Sequence, residues 1–165
     1  MIEVKDLRKS FDGVEVLKGI TTTFETGKVN LVIGQSGSGK TVFLKSLLNV
    51  YEPTSGHILF DGRDIVGMSR QEKEALRAEI GTVFQGSALF DSMTVQDNIM
   101  FPLDMFTNLT FTEKKKRVNE VIGRVHLENA EKKFPSEISG GMQKRVAIAR
   151  AIVNNPRYLF CDEPN

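Results

Sequence analysis

Apolar and polar positions alternate from Ile2 to Leu7, and a similar alternation returns at Val14-Glu15-Val16-Leu17 beyond the pair Asp12-Gly13. Successive strand side chains point to opposite faces, and Asp-Gly favours tight hairpin turns, so this spacing predicts a β-hairpin. A β-branched stretch, Ile20 to Phe24, ends at Thr26-Gly27, and Lys28 to Ile33 reads as a further strand around the run Val29-Asn30-Leu31-Val32-Ile33. A glycine-rich turn follows, then apolar positions at helical spacing from Thr41 to Asn49. Pro53-Thr54-Ser55-Gly56 turns into a strand at His57 to Phe60, closed by Asp61-Gly62. Ser69-Arg70-Gln71-Glu72 has the form of a capping box that opens a polar helix, and Ile80 to Phe84 is another strand.

From Gly86 to Ile138 the pattern turns helical. Thr94 is placed to cap a helix containing Asn98, Ile99, Met100 and Phe101. Thr112 is expected to cap one that runs through Val118, Val121, Ile122 and Val125. An alanine-rich helix over Gly141 to Val153 stops at Asn154-Asn155-Pro156, and a short apolar strand, Tyr158 to Cys161, leads into Asp162-Glu163. The expected organisation is one α/β domain over 1–165. It has a β part with a phosphate-loop core over 1–85, a helical insert over 86–140, and a final helix and strand over 141–165.

Composition narrows the class. The chain has 165 residues, 40% of them hydrophobic and 26% charged, enough for a globular domain with its own core and unlike a disordered segment. The net charge of +1 gives no broad field for nucleic acid, and no nucleic-acid partner is expected. The lone cysteine, Cys161, excludes an intrachain disulfide and is expected to be a buried strand residue without redox role. No apolar stretch approaches the roughly 20 residues of a membrane helix, and Met1 to Lys5 lacks the layout of a signal peptide. The expectation is a protein soluble by itself, with any membrane role reached through a partner.

Candidate chemistry is concentrated in three places. Gly34-Gln35-Ser36-Gly37-Ser38-Gly39-Lys40-Thr41 matches the phosphate-binding pattern G-x-x-x-x-G-K-[ST] between an expected strand and an expected helix. The glycines let backbone N–H groups turn inward around phosphates, and the helix start adds the positive end of its dipole. Lys40 brings a compact charge to the β/γ oxygens, and Thr41 offers a hydroxyl to Mg²⁺. A Gly/Ser-rich connector ending by chance in Lys-Thr is the bland alternative, and the flanking elements argue against it. Asp162-Glu163, at a strand end, reads as a metal-holding carboxylate (Asp162) and a water-polarising one (Glu163). Alone, an exposed acidic pair after a strand would be the simpler reading, and the phosphate loop reverses that preference. Ser139-Gly140-Gly141 at the start of the alanine-rich helix offers a hydroxyl and free amides, either as a second anion cradle or as an ordinary helix cap.

These residues resemble the ABC ATPases. Ser139-Gly140-Gly141-Met142-Gln143-Lys144-Arg145, followed by Ala147-Ile148-Ala149-Arg150-Ala151, is similar to the ABC signature, with Ile138 for the usual leucine and Met142 for the usual glutamine. The loop at 34–41 and the strand into Asp162-Glu163 match Walker A and Walker B. Gln85 stands at the Q-loop position and Phe11 at the aromatic that stacks on adenine. The resemblance implies an α/β P-loop NTPase core with an N-terminal antiparallel β part and a helical insert. It implies ATP and Mg²⁺ as ligands, with Lys40, Gln85 and Glu163 catalytic and Thr41, Gln85 and Asp162 serving the metal. ATP would be held by Phe11 and Gly34 to Thr41, and by Ser139, Gly140 and Gly141 acting in trans. The implied partners are a second copy in a head-to-tail dimer and an integral membrane permease, with the chain peripheral on the cytoplasmic face of the membrane.

A finer resemblance runs from Val83-Phe84-Gln85-Gly86-Ser87-Ala88-Leu89-Phe90 through Asp91-Ser92-Met93-Thr94-Val95 to Asp97-Asn98-Ile99-Met100-Phe101-Pro102-Leu103. This stretch, and Met142, are similar to the ATPases of Mla-type phospholipid transporters, which implies an MCE-domain lipid-binding protein as a further partner. Alternatives are an ABC ATPase for another substrate, a soluble ABC ATPase, or an unrelated P-loop kinase or GTPase; the signature loop and the lack of an Asn-Lys-x-Asp motif argue against the last. The family's D-loop and switch histidine would lie beyond Asn165, and neither His57, at a strand start, nor His126, at a helix end, fits the latter. The stretch 1–165 is therefore expected to be incomplete at its C-terminus, to hydrolyse ATP poorly alone and to aggregate. Lys114 to Arg117 is expected to be a solvated helix face. Phe101, Met105 and Phe106 are expected to pack in the core or to line a permease-facing groove.

Overall fold

A computed structural model describes residues 1–162. The chain divides into two compact units, 1–73 and 74–165. In the first, strand β1 (Ile2–Phe11) and strand β2 (Val14–Phe24) form the antiparallel hairpin expected from Asp12-Gly13, with Phe11 opposite Val14 and Ile2 opposite Phe24. Both turn residues have positive φ, 48° at Asp12 and 81° at Gly13, as a tight hairpin turn requires. Strand β3 (Ser55–Phe60) joins the other edge of β1, and the short strand β4 (Arg63–Asp64) follows it, so the sheet order is β2-β1-β3-β4. Val14–Leu17 and Ile20–Phe24 belong to one strand rather than two, with its pairing interrupted by irregularities.

A bulge in β1 sets which side chains reach the core. Ile2 and Val4 point inward, and strict alternation would send residue 6 after them. Instead Asp6 adopts φ 44°, the register shifts between Val4 and Leu7, and Leu7 is the fully buried residue at 0% exposure. Gly56 on β3 accommodates the bulge: a Cβ there would lie 2.3 Å from the Asp6 carbonyl oxygen. Leu17, Ile58, Phe60 and Ile65 complete this side of the core, with Phe43 and Leu47 contributed by helix α1 (Lys40–Leu47).

The strand expected over Lys28 to Ile33 is not formed. A strand exists through its ladder of interstrand hydrogen bonds, and no described strand pairs with these residues. The Asn30 side-chain amide instead donates to the carbonyls of Glu25 and Lys28, both at 3.3 Å, and Val29 and Ile33 are 101% and 81% exposed.

Helix α2 (Arg70–Ala78) begins with the expected capping box: the Ser69 amide donates to Glu72 Oε2 at 2.7 Å, and the Glu72 amide donates to Ser69 Oγ at 3.3 Å. In the second unit, strands β5 (Ile80–Val83) and β6 (Tyr158–Cys161) pair in parallel. Helices α3 (Val95–Phe106), α4 (Phe111–Arg124) and α5 (Gly140–Ile152) share one apolar core that includes Ile99, Leu103, Val118, Val121, Leu127 and Val146. Each such buried aliphatic side chain stabilises the fold by about 1.5–3 kcal/mol relative to exposure. Helix α3 starts at Thr94 as expected. Helix α4 is capped by Thr110 and not by Thr112, because only Thr110 has a glutamate three residues on, Glu113, to complete the reciprocal box. Gly81 lets β5 lie against α5, since a Cβ there would fall 2.1 Å from the Ala151 carbonyl oxygen.

Three further expectations change. Cys161 is exposed, because along β6 only alternate residues are covered and Leu159 and Cys161 fall on the open side. The basic run is only partly a solvated face. Lys114 pairs with Asp104 at 2.8 Å, and Arg117 Nε donates to the Val153 carbonyl at 2.8 Å, while Lys115 and Lys116 stay exposed. His57 lies within β3 rather than at its start, and its Nδ1 is 2.6 Å from Asp64 Oδ2, whereas His126 stands at the end of α4 as expected, with φ 53°.

Candidate nucleotide site

In the first unit the glycine-rich loop runs straight into α1. Gly37 and Gly39 have φ of 77° and 93°, conformations that carry almost no penalty only in glycine, and Gly39 is the residue that caps the helix. Gly39 also packs close to β2: a Cβ on it would meet Leu17 and Val16 side-chain atoms at 3.2 and 3.4 Å. The Ser38 amide donates to the Gln35 carbonyl at 3.2 Å and closes the turn. Lys40 folds back over the loop, its Nζ donating to the carbonyls of Gly34 at 2.8 Å and Gln35 at 3.0 Å. Helix geometry leaves the first-turn amides of α1 without intrahelical acceptors, and Gln35 to Ser38 and Thr41 are exposed. Loop, ammonium and helix start therefore lie together on a surface open to solvent, an arrangement suited to an anion.

Phe11 sits at the hairpin tip, 37% exposed. Its ring meets Tyr51 edge-on with centroids 5.2 Å apart, and Lys9 Nζ lies 4.9 Å from its centroid. Lys45 of α1 in turn lies 5.5 Å from the Tyr51 centroid. Tyr51 carries no motif signal, and its place beside Phe11 emerges only from the fold.

In the second unit Gln85 and Asp162 come to the same end of the parallel pair. Val83 is opposite Cys161, so the residues that follow leave the sheet side by side, and the Asp162 amide donates to the Val83 carbonyl at 2.9 Å. Carboxyl ends of parallel strands are where open α/β sheets bind ligands. Gln85 is exposed in the turn after β5, and Asp162 is half-buried. Glu163 lies outside the described residues. Ser139 caps α5, its Oγ accepting from the Met142 amide at 3.3 Å, and a Cβ on Gly140 or Gly141 would meet nothing within 4 Å. Helix capping is therefore formed at this position, and Gly140 and Gly141 face open space. Met142 is partly buried against the helical core.

Among the described residues, no group of three or more His, Cys, Asp or Glu could hold a metal ion alone. In the second unit the Gln85 amide oxygen and the Asp162 carboxylate are hard oxygen groups, the donor type that suits Mg²⁺.

Proteins that wrap a glycine-rich turn and one lysine around a phosphate chain at a helix start form the P-loop class, and residues 34–41 follow that plan. Within it the chain belongs to the ABC transporter family of ATP-binding domains, whose family description matches residues 17–165. Over 164 residues it is 44% identical to the "Probable ribonucleotide transport ATP-binding protein mkl" of Mycobacterium tuberculosis, covering 99% of this chain and 46% of that protein. It is 40% identical over 165 residues to the "Cell division ATP-binding protein FtsE" of Bacillus subtilis, covering 99% of this chain and 72% of that one. The chain thus spans about half the length of the first of these relatives. Among solved structures, the dimeric bacterial ABC transporter cassette MJ0796 superposes with a TM-score of 0.90 at 31% identity, over 99% of this chain and 74% of the cassette. The same cassette in a post-hydrolysis state bound to ADP and Pi also gives 0.90, at 30% identity, over 100% and 75%. The α/β cassette fold expected from the motifs is therefore established.

Proposed function

We propose that this chain is the ATP-binding and hydrolysing domain of an ABC transporter subunit, and that the transporter moves phospholipid in the Mla manner. The observation that carries the first part is the loop at 34–39 folded around the Lys40 ammonium at the start of α1. ATP binds with its phosphates along the loop amides and Lys40, and its adenine on Phe11. Lys40 and the amides hold the charge that builds on the phosphoryl oxygens as the β–γ bridge breaks. Glu163 accepts a proton from water as its oxygen attacks the γ-phosphorus, giving ADP and phosphate. Thr41, Gln85 and Asp162 are the residues that would hold Mg²⁺, which would supply charge neutralisation at the phosphates. Ser139, Gly140 and Gly141 act on the γ-phosphate of a second copy, in a head-to-tail dimer on the cytoplasmic face of a membrane permease. The whole of 1–165 forms one such domain, with 86–140 as its helical insert. The relative described as bound to ADP and Pi supports hydrolysis, and the dimeric cassette supports the second copy.

No helix among the described residues is long and apolar enough to cross a membrane, and the permease we propose is a separate segment or chain. A groove lined by Ile80, Phe84, Phe90, Phe101, Pro102 and Phe106 beside the Gln85 turn is the surface offered to it. Relatives are named for ribonucleotide transport, spermidine and putrescine import, methionine import and cell division, so their names do not agree on a substrate. The phospholipid reading rests on the residues from Val83 to Leu103 and on Met142. One experiment tests both parts: isolation of the whole protein from its native membranes, with and without Lys40→Ala. ATP turnover is expected to fall by at least about tenfold in the variant, with a permease and an MCE-domain lipid carrier in the same complex. Unchanged turnover overturns the ATPase assignment, and a complex holding a different substrate-binding protein overturns the phospholipid assignment.

A further inference from the structure

The turn that carries Gln85 is held in a costly conformation by a residue of another element. Gly86, Ser87 and Ala88 take φ of 70°, 67° and 44° in succession. Glycine adopts this left-handed region readily, but Ser87 and Ala88 carry a Cβ that disfavours it, so the surroundings must over-determine the shape. Arg150, in the last turn of α5, supplies that constraint. Its Nη2 donates to the Ser87 carbonyl at 3.0 Å and its Nη1 to the Ala88 carbonyl at 2.9 Å, while the guanidinium lies 5.7 Å from the Phe90 ring centroid. Arginine near a helix C-terminus ordinarily serves the helix's own last carbonyls; here the charge is spent on the neighbouring turn.

The segment is pinned again further along. Asn98 of α3, fully buried, accepts from the Phe90 amide at 2.9 Å and donates to the carbonyls of Phe90, Met93 and Thr94 at 3.1, 3.1 and 3.0 Å. Residues 87–94 are thus fastened to α5 at one end and to α3 at the other, and Gln85 leaves from the α5 end.

We infer that Arg150 is a positioning residue that ties the Gln85 turn to the helix beginning at Ser139, so that a displacement of either is transmitted to the other. A planar fork holds two successive carbonyls at once, whereas a lysine ammonium is a single point and holds them less well. The inference rests on the proposed ATPase role for its effect on turnover, but not for the tether itself. The test uses the whole protein with Arg150→Lys and Arg150→Ala, measured by amide hydrogen exchange and by steady-state ATP hydrolysis. In Arg150→Lys, exchange at the amides of 85–90 is expected to rise by about tenfold while that of α4 stays unchanged. Its kcat is expected to fall by about tenfold with KM for ATP within about twofold, and Arg150→Ala is expected to show larger changes of the same kind. If Arg150→Lys exchanges like the parent at 85–90, or if exchange rises equally throughout the unit, the tether is wrong. Should the parent itself hydrolyse no ATP, the ATPase assignment fails, and the exchange comparison alone decides the tether.

Discussion

At the scale of single residues, the geometry turns on positions where one atom more or less decides the outcome. Lys40 was legible because its chemistry is tied to spacing, whereas Tyr51, Asn98 and the Asp6 bulge leave no mark in a local pattern. Tyr51 and the Asp6 bulge depend on partners about 40 and 50 residues away, Phe11 and Gly56, outside any local window, and Asn98 bonds to Phe90, Met93 and Thr94 through a turn that the helical pattern does not show. Gly81 shows how little room there is. Its absent Cβ would overlap the Ala151 carbonyl at 2.1 Å and approach Pro156 Cγ at 3.0 Å, and backbone atoms do not move aside as a flexible side chain does. Gly81→Ala is therefore expected to destabilise the protein by about 1–3 kcal/mol through forced separation of β5 from α5. Chemical denaturation of the whole protein checks this, and a variant as stable as the parent would show that the close approach is unimportant.

At the scale of elements, helix starts were the most readable features because capping is a contract between residues three apart. Ser69 with Glu72 and Thr94 with Asp97 form where expected, and the Thr112 assignment moved to Thr110 because the reciprocal glutamate is Glu113. The capping contacts hold both glutamates below their ordinary value of 4.5: the Thr110 hydroxyl and amide donate to Glu113, and Ser69 donates to Glu72. A carboxylate depressed in the folded state contributes stability that is full above its unfolded pKa and is lost as pH falls through the folded one. The apparent melting temperature of the parent should thus drop as pH falls below 4.5, and Glu113→Ala should drop less steeply over the same range. Parallel melting curves for the two proteins would remove Glu113 from the acid response. The missing strand at 28–33 makes the opposite point. Its residues have strand propensity, but propensity alone does not supply a neighbour to bond with.

At the scale of the whole molecule, the proposed chemistry is divided between two compact units. Phe11, Lys40 and Thr41 belong to 1–73, and Gln85, Ser139 and Asp162 belong to 74–165. The proposed roles draw on residues of both units, and they assign the signature residues to the nucleotide of a second copy. Glu163→Gln in the whole protein keeps the loop and the proposed metal ligands but removes the proposed proton acceptor. It is expected to bind ATP normally, to hydrolyse it at least about a hundredfold more slowly, and to run as a dimer on a sizing column in ATP and as a monomer in ADP. Turnover at the parent rate, or a monomer in saturating ATP, would sink the assigned roles.

What the sequence by itself determined are the features written over short spans: the hairpin at Asp12-Gly13, the phosphate loop before α1, the capping boxes, and the order of motifs that marks the family. Each depends on residues a few positions apart, where backbone preference and hydrogen-bond reach act locally. Only the tertiary structure decided that Leu7 rather than residue 6 enters the core, that Cys161 faces outward, that the run at 28–33 goes unpaired, and that Arg150 reaches the turn beyond Gln85. Those outcomes depend on which elements become neighbours, because burial and interstrand pairing are energies of contact between distant parts of the chain.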